Sequence, residues 1–184
     1  MNNYIYAEYL EMAWEEVYSV YLDDFIRLKE NEFLEEIKND SIKGSTYRIS
    51  YDVTYYHDLA SVHFILYLYS GGAHDIRFDR VYYYDLNLLK ELTLSDIIEE
   101  PDHFLEDIKG IAKEELLTNH SNDIYEDENL LESGLEATLE NYRYLLFDRD
   151  GLHVLFPPYQ VGPWSSGEIM VVIPYERIAK YLKI

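Results

Sequence analysis

The chain opens on a helical rhythm. From Tyr4 to about Ile37, the residues Leu10, Trp14, Val17, Tyr21, Phe25 and Leu28 recur at steps of four and three, which lines them up on one helix face. Glu8, Glu11, Glu15, Glu16, Asp23 and Asp24 surround that stripe, so it reads as a face that packs on a core. Glu30-Asn31-Glu32 reads as a break, with Phe33, Leu34 and Ile37 in a second helix. Asp40 and Gly44 mark a loop from Asn39 to Ser45. Beyond it the period changes to two. Tyr47 to Tyr55 alternates, His57-Asp58 makes a hairpin turn, and Val62 to Tyr69 is a more continuous apolar strand ending at Ser70-Gly71-Gly72. Phe78 to Tyr84 is a further strand.

The second half mixes both periods. Thr93-Leu94-Ser95-Asp96 fits a capping box and predicts a short helix from Leu94 to Ile98. Pro101 suits the first turn of a longer helix carrying Phe104, Leu105, Ile108, Ile111, Ala112 and Leu116. Gly110 within it costs about 1 kcal/mol against alanine. A polar loop runs from Asn119 to Asn129, and Ser133-Gly134-Leu135-Glu136 reads as a second capping box opening a helix to about Asn141. Tyr144–Phe147 and Leu152–Phe156 flank Asp148-Arg149-Asp150-Gly151, a hairpin signal. An irregular loop from Pro157 to Gly167, a strand from Glu168 to Ile173 and a closing helix from Pro174 through Leu182 complete the chain. Strands in series with helices inserted predict an α+β fold, an antiparallel sheet with helices packed mainly on one face and a long N-terminal helix. The 184 residues suit a single domain, 1–184, with 1–40 as its helical N-terminal part.

Charge narrows the partners. The formal net charge is −21, and it is concentrated: residues 1–40 contribute −8 and residues 91–140 contribute −14, while the strand-rich stretches are close to neutral. Such a field repels nucleic acid phosphates and anionic lipid, and it steers in a cationic protein or glycan. Twenty tyrosines add residues suited to half-buried sheet faces and to contact surfaces. The chain has no cysteine, which excludes disulfides, zinc thiolate sites, iron–sulfur clusters and thiol nucleophiles. No run of about 18 apolar residues occurs, so no membrane span is expected. Asn2 and Asn3 follow Met1 without a basic, apolar leader. That leaves two readings: a cytoplasmic protein, or a mature portion whose leader or anchor has been removed.

Catalytic motifs are sparse. None of the six histidines falls in a His-Glu-x-x-His pattern, no Gly-x-Ser-x-Gly elbow is present, and neither phosphate-binding glycine motif occurs. The carboxylate-rich loop from Asp123 to Asn129 lacks the central glycine of a calcium loop. No cofactor, metal site or catalytic residue is therefore expected. Binding candidates do stand out. His74 follows Gly71-Gly72-Ala73, where glycine backbone lets a ligand approach closely, although holding the turn is the plainer role for its imidazole. Between Phe156 and Gly167, three prolines and two glycines stiffen a loop that carries Tyr159, Gln160, Pro163 and Trp164. Its aromatics are read in two ways, as contact residues or as packing against their own core.

The same loop carries a resemblance. Gly151-Leu152-His153-Val154-Leu155-Phe156-Pro157-Pro158-Tyr159-Gln160-Val161, then Gly167 and Ile173-Pro174-Tyr175, resembles the C-terminal signature of a bacterial extracytoplasmic domain of unknown function. That domain is shared by RsiV-type anti-sigma factors and PdaC-type peptidoglycan deacetylases. Gly71-Gly72-Ala73-His74, Tyr84-Asp85 and Leu92-Thr93-Leu94-Ser95-Asp96 match it upstream in the same order, so the resemblance covers residues 45–183. It implies an α+β domain outside the membrane that does no chemistry itself, since in the deacetylases the catalytic residues belong to another domain. In the anti-sigma factors it implies lysozyme sensing, and lysozyme is a cationic protein. The expected function is a non-catalytic binding or sensor domain of the cell envelope that recognises a cationic, lysozyme-like protein. The alternatives are an accessory module that binds the peptidoglycan glycan, and a hydrolase using His74 with nearby carboxylates.

Overall fold

The computed structural model describes residues 3–39, 44–72 and 74–184, and the side chains of the first helix from Ser19 onward. The sequence readings that rest on the side chains of Leu10, Trp14, Val17 and the glutamates around them, on loop residues 40–43 and on Ala73 lie outside the described residues. Helix α1 (Asn3–Asn39) is continuous through Glu30-Asn31-Glu32, against the expected break. Asn31 and Glu32 are exposed and Glu30 is half-buried, and a polar run along the outer side of a helix does not interrupt its backbone hydrogen bonds. The buried face is also displaced by a residue from the expected stripe. Leu22, Phe25, Ile26, Phe33 and Ile37 are buried, while Tyr21 and Leu28 are 48% and 54% exposed.

Four strands, β1 (Thr46–Tyr56), β2 (Leu59–Tyr69), β3 (Ile76–Asp85) and β4 (Lys90–Leu92), form an antiparallel sheet in that order. Tyr56 pairs with Leu59 across the His57-Asp58 turn, where His57 takes a positive φ of 51°. Strand alternation divides β2 between two cores. Ala60, Val62, Phe64, Leu66 and Leu68 pack with Tyr84 against α1, whereas Leu59 belongs with Tyr83 and Leu92 to the core on the other side.

That second core lies under a separate three-stranded antiparallel sheet of β5 (Leu145–Asp148), β6 (Gly151–Phe156) and β7 (Ile169–Ile173). The single expected sheet is therefore two. The seam between them is made by side chains rather than a strand ladder. Ser61 Oγ accepts from Phe147 N at 3.0 Å, Thr54 Oγ1 donates to Phe147 O at 2.9 Å, and the Tyr83 hydroxyl donates to Leu145 O at 2.9 Å. These bonds satisfy outward-facing groups of β5 that have no strand partner.

Helix α2 (Leu94–Ile97) starts at the expected capping box, with Thr93 N donating to Asp96 Oδ2 at 2.8 Å. Helix α3 (Pro101–Asn119) runs unbroken past Gly110, and all six of its expected core residues are buried against the second sheet. Two other expectations fail. Helix α4 (Glu128–Gly134) ends where the second capping box was to begin a helix, and its N-cap is Asp127, which accepts from Asn129 N and Leu130 N. After Pro174 the chain forms two single 3₁₀ turns, Tyr175–Arg177 and Ala179–Tyr181, because its last residues are drawn into bonds with the α2–α3 link. There Glu99 N donates to Tyr181 O and Lys183 N to Ile97 O. Among the described residues, no helix is long and apolar enough to cross a membrane.

Candidate functional site

The loop from Pro157 to Gly167 is clamped from below. Gln160 Nε2 donates to Gly134 O at 2.9 Å and to Asn141 O at 2.8 Å. Tyr125 N donates to Val161 O at 2.9 Å, and the Tyr125 hydroxyl donates to Tyr159 O at 3.2 Å. Two glycines permit this seating. A Cβ on Gly134 would lie 1.9 Å from Gln160 O, and one on Gly162 would lie 2.2 Å from Asp123 O. Gln160 is thus an anchor, half-buried beneath the loop rather than presented to solvent. Pro163 caps the 3₁₀ turn Trp164–Ser166 and is exposed.

The clamp leaves the aromatics outside. Tyr159 is 61% exposed and Trp164 42%, so neither packs into the core below. Their rings lie 5.7 Å apart, and the His74 imidazole stacks on Trp164 at 5.0 Å with 24° between planes. The tip of the β2–β3 hairpin, which carries the exposed Gly71 and Gly72, and the 157–167 loop are far apart in sequence yet meet through His74 and Trp164. Tyr159 holds φ at +74°, a left-handed conformation that costs a non-glycine residue of order 1 kcal/mol. His74 Nδ1 meets the carbonyl oxygen of Asp75 at 2.9 Å, which ties the ring to the turn.

A polar network for which the sequence carried no motif holds the residue that follows the loop, Glu168. His63 Nε2 and Asp79 Oδ1 are 2.8 Å apart, both residues being buried. Arg77 grips Asp79 with two nitrogens, Nε to Oδ2 at 2.9 Å and Nη2 to Oδ1 at 2.7 Å, and also holds Glu168. Burial works against the charge on Asp79, but the hydrogen bonds from His63 and Arg77 and the guanidinium charge outweigh it and hold its carboxyl below the usual range. Period-two alternation across β2 and β3 was the only available hint, since it puts His63, Arg77 and Asp79 on one sheet face. Because Glu168 follows Gly167 directly, the network fastens the end of the aromatic loop to the first sheet.

Ligating side chains also gather, His63 with Asp79 and Glu168, and Asp148 with Asp150 and His153. The first group already holds the Arg77 guanidinium between its carboxylates, which leaves a metal ion no place. The Asp123–Asn129 loop belongs to neither group; its Asp127 caps α4.

Comparison with known proteins agrees with this architecture. Residues 95–176 match the family described as a protein of unknown function, DUF3298. The peptidoglycan-N-acetylmuramic acid deacetylase PdaC of Bacillus subtilis (strain 168) is 28% identical over 167 residues, covering 88% of this chain and 35% of that protein. The chain thus spans about a third of the length of that relative. Two crystal structures share the fold. A DUF3298 family protein from Pseudomonas aeruginosa PAO1 superposes with a TM-score of 0.61 at 19% identity, over 82% of this chain and 68% of that one. A family member from Bacteroides fragilis NCTC 9343 gives 0.55 at 24% identity, over 97% and 70%. The stretch from α2 to the first turn after β7 thus carries the similarity to the DUF3298 family, and the fold around it is the one seen in those two crystal structures.

Proposed function

We propose that the chain is a non-catalytic recognition module of the cell envelope, working outside the cytoplasmic membrane, whose contact surface is the aromatic cluster of Tyr159, Trp164 and His74. One observation carries this reading. Two large rings are held in solvent by a stiff, clamped loop, one of them on a strained backbone. Core packing does not explain rings that are exposed, and little conformational entropy remains for the loop to lose on binding. Tyr and Trp so placed are the residue types that dominate contact energies.

The ligand we favour is a cationic protein of the lysozyme kind. The net charge of −21 supports it, because long-range attraction raises the encounter rate with a basic partner and leaves the aromatics to supply contact energy. A peptidoglycan strand is the second reading, favoured by the relative that is named a peptidoglycan deacetylase. Calorimetric titration with lysozyme at low and then high salt tests the first. Salt-sensitive binding is expected, and Trp164→Ala should weaken it by about 2 kcal/mol, the usual loss at a hot spot. An unchanged dissociation constant in the variant removes the loop from the interface. Absence of lysozyme binding, with salt-insensitive binding of a soluble peptidoglycan fragment, transfers the site to the glycan.

A further inference from the structure

At the tip of the β5–β6 hairpin, Asp148, Asp150 and His153 bring one ligand atom each to within 4.8 Å of one another. This end of the second sheet is the one opposite the aromatic loop, since β6 runs from Gly151 at the tip to Phe156 just before that loop. We propose that these three side chains form a binding site for a first-row divalent cation of the zinc type.

The geometry is specific. His153 Nε2 lies 4.0 Å from Asp148 Oδ2. That separation is too long for a hydrogen bond, and it is about 0.6 Å wider than the roughly 3.3–3.4 Å that separates two ligands of a tetrahedral ion with bonds of about 2.0–2.1 Å. A small rotation of the half-buried Asp148 side chain closes that gap and lets one ion reach both atoms. Asp150 Oδ1, now 2.7 Å from the same Nε2, supplies the third ligand by a small rotation of an exposed side chain. The proton that Nε2 shares with Asp150 then leaves to solvent.

The first two ligands are held in place beforehand. Asp148 Oδ1 accepts from Arg149 N at 2.7 Å, which leaves Oδ2 as the atom facing His153. The Tyr175 hydroxyl donates to the Asp148 carbonyl at 2.7 Å and fixes that residue's backbone. His153 is 9% exposed and sits in the middle strand of its sheet, in register with Leu146 and Val172. A buried imidazole aimed at two carboxylates is thus built into a rigid strand, as metal ligands require.

Charge separates this cluster from the other one. Among the described residues, the ion pairs of Asp148 and Asp150 both run to His153, so two carboxylates face one imidazole. In the His63 group, Arg77 already does the work of a cation. The imidazole favours zinc or its neighbours over calcium and magnesium, which take oxygen ligands. Three protein ligands leave the remaining positions to water or to a partner's side chain.

Titration of the whole chain with zinc chloride in a calorimeter tests the proposal. One equivalent should bind, His153→Gln and Asp150→Asn should each weaken that binding roughly tenfold or more, and Glu168→Gln should leave it unchanged. Calcium chloride should give no comparable heat. Thermal melting of the metal-free variants shows whether they fold, and Asp148→Asn replaces either one that does not. No zinc binding up to millimolar concentration, or the same dissociation constant in both variants, overturns the site.

Discussion

At the scale of single residues, the costs in this molecule concentrate around the aromatic loop. Tyr159 carries backbone strain, and Asp79 and Arg77, which hold the loop's end through Glu168, have been taken partly out of water. Asp79 gives the strain-free part of that arrangement a measurable signature. Its folded carboxyl ionises below the usual range, so its contribution to stability is complete above the unfolded value of about 3.9. That contribution is lost as the pH falls through the lower folded value. Denaturant unfolding at pH 7 and near pH 3 should therefore show Asp79→Asn to be the weaker protein at neutral pH, with the gap to the parent narrowing in acid. A gap of constant size would mean that Asp79 matters for shape rather than charge.

At the scale of elements, helix α3 contains an avoidable cost. Gly110 sits in its interior, exposed, and a Cβ built there meets nothing within 4 Å. Gly110→Ala should raise stability by about 0.5–1 kcal/mol, read as a higher denaturation midpoint with an unchanged slope. A lower midpoint would show that the helix needs the flexibility, or that another surface comes close to it. Helix α1 behaves differently. It docks by Phe25, Ile26, Phe33 and Ile37, and Lys29 lies within the same face, where it reaches Glu32 and Glu91 and lies over the Phe25 and Tyr82 rings. The apolar stem of Lys29 fills the stripe while its ammonium escapes to the rim, which is why a count of hydrophobic residues places that face one residue off.

For the whole molecule, electrostatics acts in two directions. An excess of 21 negative charges on 184 residues keeps copies apart and attracts basic partners, and it also pushes the folded chain against itself. Salt screens that repulsion over about 10 Å at 0.1 M. Adding sodium chloride from a few millimolar to about 0.5 M should accordingly raise the melting temperature while weakening a lysozyme complex. Those opposite signs are the mark of charge acting within the protein and between partners. A melting temperature that falls over the same range would show that specific ion pairs, such as those of Lys29 and Arg77, outweigh the general repulsion.

The sequence by itself determined the features that depend on neighbours along the chain. Alternation located β1, apolar runs bounded by turns located β2 and β3, the capping box and Pro101 located α2 and α3, and Asp148 to Gly151 located the last hairpin, because backbone geometry and side-chain periodicity are local properties. It also named the residues that form the aromatic cluster, since prolines and glycines around Tyr159 and Trp164 are visible in one dimension. Contacts between distant segments were decided by tertiary structure. Ser61, Thr54 and Tyr83 divide the strands into two sheets by satisfying the edge of β5, and no local pattern encodes that pairing. Gly134 ends a helix where Ser133-Gly134-Leu135-Glu136 promised a beginning, because its bare backbone is needed under Gln160. The stacking of His74 on Trp164, and the four-residue network of His63, Arg77, Asp79 and Glu168, join segments up to 105 positions apart. Burial turns ordinary polar residues into a fixed network only once the sheets have closed over them, and that closure is a property of the folded chain.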